Sequence, residues 1–411
     1  MVFFIIEFLR SVFDVKIPQV FEYYSTRMML AALTTLCLCI FLGPRFIKKL
    51  YELKIGQPIR MEECPTLGHL HSNKKDTPTM GGILILISMV ISLLLWMDLT
   101  SSFTLILLVT TIWLGGIGAR DDYLKLRYKN SKGLAGRKKM ALQVLFGAVL
   151  AIYLLCPTVA ESIHVGKWFA PPIAKEQVMA VSDTIPDRPE HAKGTVLQAP
   201  SYVARLYVPF FKEPVYVFAG PLLAVLFLFI IAVVTGSSNA VNLTDGLDGL
   251  AAGCLVIVAG VFAFYAFISN NIDWANYLHI LYIEQSGEIA IYLSAMAGAC
   301  LGFLWFNGAP AQVFMGDTGS LALGGIIGVS AVLIKKELLL VIVGGIFVIE
   351  TLSVILQVAS YRLRNKKRIF LCTPIHHHFE FKGWAETKVV IRFWIVGLLF
   401  AIVGILAIKF Q

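Results

Sequence analysis

The chain carries apolar stretches that are too long and too numerous for a water-soluble domain. About ten of them approach or exceed the ~17–20 residues that a helix needs to cross the hydrocarbon core of a bilayer. Their approximate limits are 28–44, 80–97, 103–119, 140–157, 214–235, 249–268, 288–305, 319–334, 338–359 and 389–408. The strands of a lipid-facing barrel would alternate apolar and polar residues, and these stretches do not alternate. The sequence therefore predicts an all-α, polytopic membrane protein with about ten transmembrane helices in a lipid bilayer.

The positions of the positive charges indicate which way the predicted helices face. Of the 35 Lys and Arg residues, 22 fall in the three loops 45–79, 120–139 and 361–388. Loops rich in Lys and Arg stay in the cytoplasm, and counting spans alternately places 236–248 and 306–318 on the same side. The net charge of +9 is then explained by topology and by attraction to anionic lipid, and no nucleic-acid binding is expected.

Two features are expected on the outer side. Residues 1–26 are predicted to form a short amphipathic helix on the outer membrane face. The loop 158–213 is the longest interruption between spans, and prolines such as Pro171 and Pro186 argue against a long helix there. Because no soluble module is large enough to fold alone, residues 1–411 are predicted to form a single integral-membrane domain with one long external loop.

The densest polar segment of the chain follows the fifth apolar stretch. Asn239, Asn242, Asp245 and Asp248 recur every three residues and would share one stripe of a helix. The glycines that follow each Asp allow the backbone to turn sharply or to approach a ligand closely. Such a cluster suits a sugar-nucleotide headgroup, whose hydroxyl and uracil N–H groups can donate to carboxylates. The alternative is a polar turn in which an Asp caps the next helix.

Three further carboxylates stand at the ends of apolar stretches on the same predicted side. Asp121 and Asp122 follow the third stretch, and Asp317 opens the eighth. Adjacent carboxylates cannot fully share one helical face, so one of the pair is expected to act as a base or metal ligand while the other caps a helix or pairs with a lysine. Mg²⁺ bound with substrate phosphates takes one or two carboxylates, and we predict Asp317 as its ligand, with Asp121 or Asp122 and with help from Asn307. The alternatives are an interfacial collar of charge for the pair and helix capping for Asp317.

Basic and histidine side chains on that side are candidates for phosphate contacts. The candidates are Lys74, Lys125, His376, His377 and His378, and Thr79 stands where a helix would start. Consecutive histidines cannot all ligate one ion, and no cysteine partner is near, so zinc is not favoured. A histidine can instead donate to phosphate and, when protonated, add positive charge. The alternatives are an ordinary interfacial loop for the histidines and a snorkelling basic collar for the lysines.

Five of these segments together resemble the phospho-N-acetylmuramoyl-pentapeptide transferase family. The segments are 74–82, 121–122, 239–249, 315–320 and 374–380. The likeness extends over nearly the whole chain. The paired Asp and the Asn/Asp-rich loop are shared with the broader polyprenyl-phosphate N-acetylhexosamine-1-phosphate transferases, whereas the triple-His segment, with Pro before it and Phe-Glu after it, is specific to the muramoyl branch. The loop 158–213 is longer than the family leads us to expect.

The resemblance implies a reaction, a cofactor and partners. Phospho-MurNAc-pentapeptide passes from UDP-MurNAc-pentapeptide to undecaprenyl phosphate, giving lipid I and UMP, with Mg²⁺. A cytoplasm-facing active-site cleft in the bacterial inner membrane and a homodimer are also implied. The residues expected to be catalytic are Asp121, Asp122, Asp317 and His376, with Asp317 as the metal ligand. The residues expected to bind substrate are Lys74, Thr79, Lys125, Asn239, Asn242, Asp245, Asp248, Asn307, Phe314, His377 and His378, and stacking of Phe314 would help to recognise uridine.

Two other interpretations stay open. A GlcNAc-1-phosphate transferase of the same superfamily is disfavoured by the triple-His segment. A cation-coupled transporter would need carboxylates near the bilayer midplane on broken helices. Only Glu350 lies well inside a predicted span, where it is as readily an interior structural residue. Whether transfer takes one step or two, through a covalent phosphate on Asp317, also stays open.

Overall fold

Long apolar helices account for most of the fold in a computed structural model of the protein. The structure describes residues 12–13, 18–53, 77–128, 133–166, 168–180 and 192–409. Among these residues, nine helices are long and apolar enough to cross a membrane, and a shorter apolar helix covers Gly82–Trp96.

The elements are numbered here in chain order. The helices are α1 Tyr24–Glu52, α2 Gly82–Trp96, α3 Ser102–Arg127, α4 Gly136–Leu155, α5 Pro157–Ile163, α6 Ala199–Val203, α7 Leu223–Thr244, α8 Leu250–Ser269, α9 Ile272–Tyr277, α10 Gly287–Asn307, α11 Gly316–Leu333, α12 Glu337–Val343, α13 Gly345–Leu363, α14 Ile375–Phe381 and α15 Glu386–Lys409. The strands are β1 Ile173–Ala180, β2 Ala192–Gln198, β3 Arg205–Leu206, β4 Tyr216–Val217 and β5 Tyr282–Ile283. Short 3₁₀ helices cover Gln19–Glu22 and Gly220–Leu222.

The prediction of an all-α, polytopic membrane protein is confirmed, and the differences are local. The second span is a helix of only 15 residues. The ninth span, predicted as 338–359, is divided at Gly344 into α12 and α13. Glycine weakens a helix interior, which accounts for the position of the break. Most of the amphipathic helix expected over 1–26 lies outside the described residues, and its described end is the 3₁₀ turn before α1.

The small residues of α11 allow other helices to approach it closely. A Cβ placed on Gly82 of α2 would lie 2.2 Å from the backbone nitrogen of Gly319. One placed on Gly118 of α3 would lie 2.2 Å from the carbonyl oxygen of Asp317. Small residues permit such backbone contact between membrane helices, where dispersion rather than the hydrophobic effect drives packing. The amino terminus of α11, which carries Asp317, is therefore fixed against the carboxyl end of α3.

The loop 158–213, predicted to be external, contains regular structure of its own. The strands β1 and β2 pair antiparallel, and β5 adds to the other edge of β1, giving the order β2-β1-β5. Lys175 on β1 also bridges to Glu284, next to β5, at 3.0 Å. Because β5 belongs to the connection between α8 and α10, the sheet joins two segments that lie far apart in the sequence.

Candidate active site

The junction of α3 and α11 collects three carboxylates at one end of the bundle. One oxygen from each of Asp121, Asp122 and Asp317 lies within 4.8 Å of the others. Asp121 and Asp122 are both buried, and Asp317 is partly buried. The sequence analysis placed Asp317 with either Asp121 or Asp122, and the structure brings all three together in different surroundings.

Asp122 caps the amino terminus of α11. Its Oδ2 accepts hydrogen bonds from the backbone nitrogen of Thr318 at 2.9 Å and from Thr318 Oγ1 at 2.7 Å. Its Oδ1 accepts from the backbone nitrogen of Asp317 at 3.2 Å. A carboxylate at this position satisfies free N–H groups and complements the positive end of the helix. Asp122 therefore fixes the backbone from which Asp317 projects.

Lysine ammonium groups separate the carboxylates. Lys139 on α4 lies 2.5 Å from Asp317 Oδ2, and Lys125 on α3 lies 3.0 Å from the same oxygen. Lys125 also lies 2.6 Å from Asp121 Oδ2, while Oδ1 of Asp121 accepts from the backbone nitrogen of Leu134 at 2.7 Å. Positive and negative charges thus alternate through the site, which lowers the repulsion between carboxylates so close together.

The chain lies over Asp121 again at Gly133, shortly before α4. Gly133 has a φ of +52°, a backbone conformation that other residues rarely adopt. A Cβ at this position would lie 2.7 Å from Asp121 Oδ1. Glycine is therefore needed here for both the conformation and the space.

The Asn/Asp-rich segment contributes to the same site from the end of α7. Asn242 Nδ2 donates to Asp317 Oδ1 and to Ser320 Oγ, both at 2.8 Å. Asn239 Nδ2 donates to Gln143 Oε1 at 2.7 Å, which ties α7 to α4 one turn after Lys139. These two residues of the predicted stripe both lie on α7, where Asn242 orients Asp317 and Asn239 holds α4.

Asp245 lies just beyond the last residue of α7 and within the influence of the cluster. Burial raises the pKa of this carboxyl to about 7, and the negative charges of Asp317 and Asp122 act in the same direction. A backbone hydrogen bond from Gly316 opposes the shift. The Asp245 carboxyl therefore faces the space beside the carboxylate cluster.

Asp248, Asn307 and Phe314 hold the loops that surround this space. Asp248 Oδ2 accepts from the backbone nitrogen of Ala311 at 3.0 Å. Asn307 Oδ1 accepts from the backbone nitrogen of Gly249 at 3.1 Å, and its Nδ2 donates to a carbonyl in the 308–315 loop at 2.8 Å. The backbone nitrogen of Phe314 donates to the carbonyl of Pro78, next to the buried Thr79, at 2.8 Å.

The three histidines of α14 have different surroundings. His376 is fully buried, and its Nδ1 lies 3.0 Å from Glu350 Oε2 on α13, without the alignment of a directed hydrogen bond. A Cβ on Gly246 would lie 2.4 Å from His376 Nε2, so this ring packs against the turn that follows Asp245. His377 Nδ1 lies 2.7 Å from Glu380. His378 Nδ1 accepts from the backbone nitrogen of Leu371 at 3.1 Å, away from the turn.

The structure thus brings six of the residues that the sequence singled out to the carboxylate cluster. Those at or beside the carboxylate cluster are Asp121, Asp122, Lys125, Asn242, Asp245 and Asp317. Lys74 lies outside the described residues. Sequence analysis missed Lys139 and Gln143, although their spacing of four at the start of an apolar stretch places both on one helix face. It noted Glu350 as the one acidic residue deep in a span, without finding its partner His376.

A bundle of membrane-spanning helices that gathers carboxylates, lysines and a buried histidine at one end suits a membrane-embedded transferase acting on phosphorylated substrates. The chain belongs to the phospho-N-acetylmuramoyl-pentapeptide-transferase family, as the sequence predicted. Residues 193–335 match glycosyl transferase family 4, and residues 74–86 match phospho-N-acetylmuramoyl-pentapeptide-transferase signature 1.

Three relatives of this family illustrate the similarity. The chain is 64% identical to the phospho-N-acetylmuramoyl-pentapeptide-transferase of Protochlamydia amoebophila (strain UWE25), with 100% of both chains covered. It is 44% identical to the protein of the same name from Methylacidiphilum infernorum (isolate V4), with 96% of each chain covered. The identity to that of Francisella tularensis subsp. mediasiatica (strain FSC147) is also 44%, again over 100% of both chains.

Proposed function

We propose that the protein transfers phospho-MurNAc-pentapeptide from UDP-MurNAc-pentapeptide to undecaprenyl phosphate, giving lipid I and UMP. The names of the relatives support the transferred group. The observation that carries the proposal is the alternation of Asp121, Lys125, Asp317 and Lys139 at one end of the helical bundle. Such a site can hold a polyanion and the cation that accompanies it.

The position of the site suits one substrate in the membrane and one in water. The polyprenyl chain of the acceptor would lie in the bilayer and its phosphate at the boundary, while the nucleotide donor would arrive from solution. The concentration of Lys and Arg in 120–139 and 361–388 supports a cytoplasmic orientation, in the bacterial inner membrane. The same resemblance supports association of two chains into a homodimer, which the mass of the protein in lipid nanodiscs would test.

The donor set of the cluster fits Mg²⁺. Carboxylate oxygens are the protein ligands that this ion prefers, and it usually keeps sites for substrate phosphates. Asp317 with Asp121 would hold it, because both oxygens of Asp122 already accept hydrogen bonds from α11. The ammonium groups of Lys125 and Lys139 lie beside Asp317 and supply the positive charge that a bound cation would supply there. When bound, Mg²⁺ would neutralise charge on the diphosphate and on the departing UMP.

In the proposed reaction, an oxygen of the lipid phosphate attacks the sugar-bearing phosphorus of the diphosphate. A new P–O bond forms there as the bond to the bridging oxygen breaks, and that oxygen leaves with UMP. Lys125 and Lys139 hold phosphate oxygens, which favours the crowded charge of the transition state. Asp121 positions the lipid phosphate or accepts its proton. In a two-step alternative, Asp317 would attack first, and a trapped phospho-enzyme on Asp317 would distinguish the two routes.

The remaining residues would bind and orient the donor. Asp245 is proposed to recognise uridine, with Phe314 stacking on the base. Asn242 is proposed to bind the same nucleoside and also orients Asp317 through its hydrogen bond. His376 is buried against the turn after Asp245, where it would position this turn and the Asp245 carboxyl toward the donor. Burial and the charge of Lys382 lower the pKa of His378, so this ring would serve as a neutral donor or acceptor.

The experiment that tests the proposal measures UMP release by the purified protein in detergent. Undecaprenyl phosphate and Mg²⁺ are supplied with either UDP-MurNAc-pentapeptide or UDP-GlcNAc. We expect release with the muramoyl donor alone, with loss on chelation and in Asp317→Asn. Asp273→Asn is the matched control, since Asp273 is exposed in α9 at the opposite end of the bundle. Release with UDP-GlcNAc instead would move the protein to the sibling branch of transferases.

A further inference from the structure

One buried amide in an apolar helix has no role in the proposed reaction so far. Gln143 lies on α4, one turn after Lys139, and its side chain is fully withdrawn from solvent. Its neighbours Val144 and Leu145 belong to the exposed face of the same helix. Polar side chains within a membrane-spanning segment are costly, and they usually face the interior of the bundle. The amide of Gln143 therefore has to find its partners within the protein.

The hydrogen bonds of Gln143 lead to two other helices. Its Nε2 donates to Ser238 Oγ on α7 at 3.3 Å, and Ser238 Oγ donates to the backbone carbonyl of Leu321 on α11 at 2.8 Å. Its Oε1 accepts from Asn239 Nδ2 at 2.7 Å, and that nitrogen also donates to the carbonyl of Thr235 at 2.8 Å. Because carbonyl oxygens can only accept, these bonds are satisfied together by one orientation of each amide. We call this set of residues, which joins α4, α7 and α11, the amide relay: Gln143, Ser238, Asn239 and Leu321.

The amide relay lies one helical turn away from an ion pair of the carboxylate cluster. Gln143 follows Lys139 by four residues on α4, and Leu321 follows Asp317 by four residues on α11. Residues four apart share one face of a helix. The bridge from Lys139 to Asp317, at 2.5 Å, and the amide relay are therefore successive connections between α4 and α11.

The position of the first turn of α4 decides whether Lys139 reaches the cluster. Residues 136–138 are exposed, whereas Lys139 is partly buried. Close packing of α4 on α7 is reached at Gly147, where an added Cβ would lie 3.2 Å from Cα of Ile231. Between these two points, Gln143 holds α4 on α7 by directed hydrogen bonds. Gln143 therefore sets the distance that the side chain of Lys139 has to span.

We propose that Gln143 is a positioning residue for the transfer reaction, which fixes the start of α4 so that the Lys139 ammonium stays beside Asp317. This inference rests on the proposed function, in which Lys139 holds a phosphate oxygen of the donor. Gln143 is fully buried one turn further into the bundle, so it acts through Lys139 and does not contact the donor. Without the amide, Lys139 would keep its charge and lose its fixed position, and its ion pair with Asp317 would open more often.

The direct test measures the reactivity of the Lys139 amine in the substrate-free protein. An acetylating reagent is added to the purified protein in detergent, and the rate of modification at each lysine is read by peptide mass spectrometry. Gln143→Met removes the amide and keeps the length of the side chain. Thr111→Val is the matched control, because it removes a buried hydrogen bond of 2.6 Å, to Tyr292, that joins α3 and α10 away from the carboxylate cluster. Lys48, whose side chain is 79% exposed, reports on the reagent itself.

In Gln143→Met, we expect Lys139 to be modified about three- to fivefold faster than in the wild type, since hydrogen bonds between membrane helices are of modest strength. The rates at Lys139 in Thr111→Val, and at Lys48 in every variant, should stay at the wild-type values. An unchanged rate at Lys139 in Gln143→Met would overturn the proposal. If Gln143→Met does not fold, Ser238→Ala removes one contact of the amide and should give a smaller increase, and no increase there would count equally against the proposal.

UMP release tests the consequence for the reaction. Gln143→Met should raise the KM for the nucleotide donor about three- to fivefold, and it should add no further increase in a Lys139→Met background. An unchanged KM in Gln143→Met, or an equal increase in the Lys139→Met background, would overturn the proposal, because Gln143 would then not act through Lys139. A wild type that releases no UMP with either donor would refute the proposed function, while the modification rate of Lys139 would still decide the role of Gln143.

Discussion

Asp122 is expected to act by holding the amino terminus of α11, and replacing it should destabilise the protein as well as inactivate it. Its carboxylate accepts three hydrogen bonds, two from Thr318 and one from the backbone of Asp317. Asp122→Ala removes all three acceptors. Asp122→Asn keeps the size and one accepting oxygen but loses the negative charge that complements the helix end.

The structure sets the size of the effect. A hydrogen bond to a charged group contributes about 1.5–3 kcal/mol, and bonds that share one carboxylate do not add fully. We therefore expect a loss of about 3–5 kcal/mol for Asp122→Ala and about 1–2 kcal/mol for Asp122→Asn. Thr318→Val removes one hydroxyl donor, at 2.7 Å, and should cost about 1 kcal/mol. Asp121→Asn should lose UMP release while its unfolding temperature stays close to that of the wild type.

The assay is thermal unfolding in detergent, followed by tryptophan fluorescence, beside UMP release from the same preparations. Under the capping account, unfolding temperatures decrease in the order wild type, Thr318→Val, Asp122→Asn and Asp122→Ala. An inactive Asp122→Asn that unfolds at the wild-type temperature would refute the account, and would indicate that Asp122 contacts the metal or the substrate directly.

Three further predictions concern other parts of the site and its scaffold. Lys139→Met removes the positive charge beside Asp317. It should raise the KM for the nucleotide donor about 10- to 100-fold and lower the Mg²⁺ concentration needed for half-maximal activity. A higher Mg²⁺ requirement would contradict this prediction. Glu350→Gln and His376→Asn should be non-additive by at least about 1 kcal/mol in a double-mutant cycle on kcat/KM, whereas additive effects would show that the buried pair is not coupled. Gly82→Ala should abolish the folded fraction in size-exclusion chromatography, since its Cβ would overlap Gly319, while Gly116→Ala, which meets nothing within 4 Å, should elute like the wild type.

The fold class could be predicted from the sequence because hydrocarbon thickness sets the length of an apolar helix. The exceptions have local causes. The break at Gly344 divides a stretch that is apolar throughout, so composition alone does not reveal it. The strand β5 pairs with β1 from about 100 residues further along the chain, and no local pattern encodes such pairing.

The candidate site was predictable in its residue types and less so in its roles. Carboxylates at a membrane boundary are costly, which makes Asp121, Asp122 and Asp317 conspicuous. One of the adjacent pair was expected to cap a helix or to pair with a lysine. In the structure Asp122 caps α11 and Asp121 pairs with Lys125. Lys139 stayed hidden because it follows two other basic residues at the start of an apolar stretch, where a snorkelling collar has the same sequence pattern.

Lys125 and Lys139 neutralise the charge of Asp317 through internal ion pairs. Their ammonium groups compensate the carboxylate at 2.5 and 3.0 Å, so a divalent cation that binds there competes with them. Once displaced, Lys125 and Lys139 carry uncompensated charge at the place where a diphosphate would arrive. Binding of the cation and of the anionic donor should therefore be positively linked, each increasing the affinity for the other by the same factor. The site would thus be ready for transfer only when the cation and the anionic donor are both bound. A donor that arrives without the cation would meet lysines that are still paired with Asp317.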